Sequence, residues 1–203
     1  MSILRALFGP SQGEVWGQLA GKIGGRLEDG GFWGDCRVTV DVGEWTVTLD
    51  TYRQSSGKHS HTHTRLRAPY VNPGGFRFLV RRRQLFDGLG KLLGGQDIDV
   101  GHAGFDEDFV IQGNDEAMVR RLFANPRLRE LLRAQPDVSF EVREDEGWFG
   151  AKFPDGVDEL CFTCFGLVTD HERLKGLFDL FAETLHTLCH VGAAYEDDPG
   201  LRL

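Results

Sequence analysis

The stretch Gln96–Leu132, QDIDVGHAGFDEDFVIQGNDEAMVRRLFANPRLRELL, decides how the chain is read. It predicts a strand, an acidic turn, a second strand, a capped helix and a second short helix. Phe109, Val110 and Ile111 form a β-favouring run that stops at Gly113-Asn114. Asp115 is placed to cap a helix over residues 116–124, and Pro126 after Asn125 ends that helix or opens the next. No catalytic signature lies in this block, so it reads as scaffold.

Upstream, Val38, Val40 and Val42 alternate up to Gly43-Glu44, and Trp45, Val47 and Leu49 alternate after it. A two-residue Gly-X turn then pairs Val42 with Trp45, Val40 with Val47 and Val38 with Leu49 on one face. The other face carries Thr39, Asp41, Thr46, Thr48 and Asp50. A turn over Ser55–Lys58 returns the chain through HSHTHTRLRAPYV, setting Thr64, Leu66 and Ala68 opposite Leu49, Val47 and Trp45. The same register sets Tyr52 opposite His61 and Asp50 opposite His63. Asn72-Pro-Gly-Gly75 turns once more into a strand through Phe76, Phe78 and Val80, which makes residues 36–83 a four-stranded meander. Leu85–Leu93 is a short apolar helix candidate. Before the meander, Glu14–Asp29 spaces Val15, Leu19, Ile23 and Leu27 along a helix weakened by its glycines.

Downstream, Val138, Phe140 and Val142 predict a strand, residues 144–147 a turn and Trp148–Phe153 another strand. Leu160–Val168 is apolar on both faces, as a central strand requires. A helix from about Asp170 to Val191 carries Leu174, Leu177, Phe178, Phe181, Leu185 and Leu188 on one stripe.

A chain of 203 residues with 40% hydrophobic content can bury a full core. The net charge of −8 disfavours a general nucleic-acid binder. No apolar run reaches the roughly 18 residues of a membrane span, and MSILRALFGP makes a poor signal peptide. Four cysteines without a framework spacing fit a reduced, cytoplasmic setting.

Three constellations bear on chemistry. His59, His61 and His63 alternate on one strand face, as neighbouring ligands do in strand-based metal sites of hydrolases and oxygenases. Arg65 and Arg67 continue that face and disfavour a bound dication, so a solvated polar face competes with the metal reading. Cys161 and Cys164 form a C-x-x-C within a strand, where positions three apart point to opposite faces; buried structural thiols fit better than a zinc knuckle. Glu183 and His186 have E-x-x-H spacing, but a carboxylate-bridged metal bundle needs two such motifs. The phosphate-loop and dinucleotide patterns fail on spacing. The basic cluster Arg65, Arg67, Arg77, Arg81, Arg82 and Arg83 remains. It suits phosphate, carboxylate or an acidic partner segment, unless the acidic runs at 106–108 and 144–146 neutralise it within the fold.

THTRLRAPYVNPGGFRF (62–78), LGKLLGGQDIDVG (89–101) and FDEDFVIQGNDEAMVRRLFANPRLRELL (105–132) resemble an uncharacterised family of bacterial cytosolic proteins. The resemblance covers the middle of the chain, while the ends share only its pattern. It implies common membership and fold and brings no activity, cofactor or catalytic residue. His59 and His61 lie outside it.

The expectation is an α+β fold: an antiparallel β-meander (about 36–83) plus a second antiparallel strand group (about 97–168), with N-terminal, central and C-terminal helices packed on the sheets. Residues 1–203 form one domain, and 93–97 is where it would divide into two packed halves. The expected function is a non-catalytic binding or interaction module. It takes a small anion or acidic protein segment through Arg65, Arg67, Arg77, Arg81 and Arg83, with no cofactor. The alternatives are a metal-dependent enzyme using His59, His61 and His63, and a structural oligomer.

Overall fold

The structure is a computed structural model that describes residues 11–28, 36–56, 59–83, 97–144, 152–201 and 203, with Ser56 and His59 described by backbone alone. The fold is α+β. Among the described residues eight strands form one sheet: β1 (Arg26–Glu28), β2 (Arg37–Val42), β3 (Trp45–Ser56), β4 (His59–Val71), β5 (Phe78–Arg82), β6 (Phe109–Gly113), β7 (Ser139–Arg143) and β8 (Val157–Phe165). Their spatial order is β1-β2-β3-β4-β8-β7-β5-β6, with every pair antiparallel. The helices are α1 (Gln12–Ile23), α2 (Ala103–Asp108), α3 (Glu116–Phe123), α4 (Pro126–Arg133) and α5 (His171–His190).

The β2–β3 hairpin has the expected register, Val42 with Trp45, Val40 with Val47 and Val38 with Leu49. The β3–β4 pairing is displaced by two residues from the expected one. It runs from Thr48↔Arg67 to Ser56↔His59, so Asp50 faces Arg65 and Tyr52 faces His63. Both registers bury the same alternate residues, because a two-residue shift preserves the faces.

Phe78–Arg82 does not lie beside β4 as a fourth meander strand. It pairs with β6 and β7, and β8 occupies the free edge of β4 instead. Residues 157–164 of β8 are all buried, and such a strand belongs in the middle of a sheet. The turn before β5 is fixed by Asn72, whose Nδ2 donates to the Phe76 carbonyl (2.9 Å) and to Asp158 of β8 (2.6 Å). The two expected strand groups are therefore halves of a single sheet.

Gln96–Leu132 is largely as expected from Phe109 onward. Asp115 caps α3 by accepting from the Met118 N–H, and Asn125 caps α4, with Pro126 in its first turn. Two details differ. Residues 97–100 form no strand, although the Ile98 N–H reaches the Ile111 carbonyl at 2.8 Å. The acidic turn is the short helix α2, where Asp106 accepts from the backbone N–H groups of Val100, Gly101 and His102. Helix α1 stops at Ile23, short of Asp29, because Gly24 turns left-handed (φ 72°) and Leu27 joins β1. The expected helix at Leu85–Leu93, and the 144–147 turn and Trp148–Phe153 strand apart from Glu144, Lys152 and Phe153, lie outside the described residues.

The helices cover the face bearing Val38, Leu49, Leu66, Phe78, Phe140 and Phe162, and α5 buries its whole apolar stripe there. Gly113 ends β6 where an added Cβ would lie 2.6 Å from Val119 Cγ2 and 2.9 Å from the Arg77 carbonyl oxygen. Gly113→Ala is expected to cost about 1–3 kcal/mol through overpacking. Urea denaturation measures this, and an unchanged midpoint would show that the α3 contact gives way freely.

Candidate functional site

The second face of the sheet carries charge in its centre. Strand register aligns Asp50, Arg65, Thr163, Ser139 and Arg81 in one row, with Thr48, Arg67, Cys161, Glu141 and Leu79 in the next. Asp50 accepts from Arg65 Nε and Nη2, both at 2.8 Å, and from Arg67 Nη2 at 2.6 Å. Arg67 also lies 3.7 Å from Glu159, and the exposures of Arg67, Asp50 and Glu159 are only 4%, 7% and 1%. Burial alone would lower the Arg65 pKa, but the hydrogen bond and charge of Asp50 outweigh it and hold it above its ordinary value. Arg143, on β7, clasps Glu141 through Nε (3.0 Å) and Nη2 (2.6 Å).

The five arginines singled out in the sequence meet different fates. Arg65 and Arg67 are neutralised by Asp50 and Glu159. Arg77 pairs with Glu144 at 3.0 Å. Arg83 donates to the carbonyls of Asp106 and Phe109 at the rim of a cavity of about 650 Å³ that also bears Asp99 and Glu107. Neighbouring Arg82 points to the helical side, bonding the Arg133 and Gln135 carbonyls at the end of α4, where a helix favours a cation. Arg81 is different. Among the described residues it has no ion pair, and its Nε is buried without a hydrogen-bond partner. Its β7 neighbour is Ser139, with Thr163 one strand beyond.

The histidines sit at the far end of the same face. Phe165, 63% exposed, lies against both imidazoles, 5.4 Å from His61 and 5.5 Å from His63. Tyr52 stacks on His63 at 5.0 Å, and Arg65 lies over the Tyr52 ring. Burial is the main cause that raises the Tyr52 pKa. The His59 side chain is outside the described residues, and among the described residues no three His, Cys, Asp or Glu groups form a ligand set. The pair Cys161 and Cys164 splits across the sheet: Cys161 shares the charged face and Cys164 joins the core. Burial raises both thiols, Cys164 to about 11, so neither offers a ready thiolate near neutral pH.

Sequence reading missed Arg143, Ser139, Glu159 and Thr163 as neighbours of the arginines. Their alternation with Val138, Phe140, Val142, Leu160 and Phe162 places them on the polar face, but only the strand order brings them to Arg81. Compared with known proteins, the chain matches no family, no curated protein and no solved structure. Among the described residues no helix is long and apolar enough to cross a membrane.

Proposed function

We propose that this protein is a non-catalytic binding module and that the charged sheet face takes an anionic group, a phosphate or carboxylate, at Arg81. The observation that carries the reading is Arg81, which has no ion pair among the described residues and a buried Nε without an acceptor there, beside a set of neutralised arginines. A buried guanidinium N–H without an acceptor is costly, and an incoming anion supplies one. Ser139, the neighbour of Arg81 in the same row, adds a hydroxyl donor, while the Asp50 and Glu159 pairs hold Arg65 and Arg67 in place.

Calorimetric titration with inorganic phosphate tests this at low salt. Arg81→Gln is expected to weaken binding about tenfold, equivalent to about 1.4 kcal/mol. Phosphate binding that is the same in Arg81→Gln, or is absent from the unsubstituted protein, would overturn the reading. An acidic peptide in a parallel titration shows whether the anion can be borne on a partner chain.

A further inference from the structure

On the helical side, away from Arg81, α5 leaves a polar edge beside the junction of α3 and α4. There an open cleft of about 440 Å³ is lined by Arg121, Asn125, Glu183, His186, Thr187 and His190. Two features set it apart from a solvated helix face. First, Arg121 and Glu183 bring opposite charges to one cavity without meeting, and neither has an ion pair among the described residues. Second, Glu183 is held in place by a neutral group. Asn125 Nδ2 donates to its Oε1 at 2.5 Å and to the Thr187 hydroxyl at 2.9 Å, while Asn125 Oδ1 caps α4. The carboxylate is therefore positioned by an amide that is not a counter-ion. The last turns of α3 and α5 also end here, and their carbonyl ends favour a positive group. Trp45 meets the His186 ring edge-on at 5.5 Å and orients it at the rim.

We infer that this cavity binds a small zwitterion of the amino-acid class, with its ammonium group at Glu183 and its carboxylate at Arg121. A ligand carrying both charges satisfies both side chains at once; an anion alone would face Glu183, and a cation alone would face Arg121. The histidines form the wall that a short side chain would touch.

The test uses the full chain with labelled histidines. Glycine, L-alanine and L-serine are titrated while the ring signals of His186 and His190 are followed by NMR, with acetate and ethylamine as half-ligands. The amino acids are expected to shift both signals saturably, and each half-ligand to bind at least about tenfold more weakly. Arg121→Gln and Glu183→Gln should each weaken amino-acid binding about tenfold. Glutamine at 183 keeps an oxygen for Asn125, and Arg121 is exposed, so both variants should retain the fold. No shift with any amino acid, equal binding of acetate, or binding that survives either substitution overturns the proposal.

Discussion

Asp50→Ala is expected to destabilise the protein by about 3–5 kcal/mol, the cost of leaving buried charge without its partner. Asp50 is the shared acceptor of Arg65 and Arg67, through three hydrogen bonds of 2.6–2.8 Å. Its removal sets two guanidinium groups side by side in a layer where Arg67 is only 4% exposed. Glu159, 3.7 Å from Arg67, offsets part of this. Asp50→Asn keeps the shape and loses the charge, so it should be nearly as harmful. Denaturant unfolding of both variants checks this. A loss below about 1 kcal/mol, the range of exposed pairs, would mean that water reaches the arginines freely.

The second large effect is on the helical face. Phe140→Ala is expected to cost about 3–5 kcal/mol. The Phe140 ring is fully buried and meets Phe78 of β5 at 5.6 Å, Phe162 of β8 at 6.3 Å and Phe181 of α5 at 5.7 Å. Truncation removes the centre of a cluster joining three strands to the long helix, and neighbours held by strand register collapse only partly into the space. Phe140→Leu should lose less, because it leaves a smaller cavity. Thermal and denaturant unfolding provide the comparison, and equal losses in the two variants would contradict a cavity origin.

Much of this architecture was legible where local and periodic signals agreed. The Gly43-Glu44 turn and the flanking valines fix one register, and the cap at Asp115 fixes the start of α3. The β3–β4 register was not legible, since alternation repeats every two residues and cannot detect a shift of two. That shift exchanges His63 for Arg65 opposite Asp50, and with it the electrostatics of the face. Charge complementarity between Asp50 and the two arginines is the sequence signal that favours the observed pairing. The position of β5 was not legible for a different reason: the turn at Asn72–Phe76 predicts a return beside β4, but that edge is filled by a strand from the far end of the chain.

The candidate site follows the same division. Alternation placed Arg65, Arg67 and Arg81 on one face, while the counter-ions that distinguish them belong to other strands. Arg65 and Arg67 find Asp50 and Glu159, and Arg143 finds Glu141, leaving Arg81 distinct. No local motif carries that difference. It arises from strand order.

The most direct measurement follows the side-chain Nε–H signals of the arginines by NMR as inorganic phosphate is added. The account predicts a saturable shift at Arg81, whose Nε has no acceptor among the described residues, and little movement at Arg65, whose Nε is held by Asp50 at 2.8 Å. An unmoved Arg81, or a saturable response confined to Arg65 and Arg67, would contradict it.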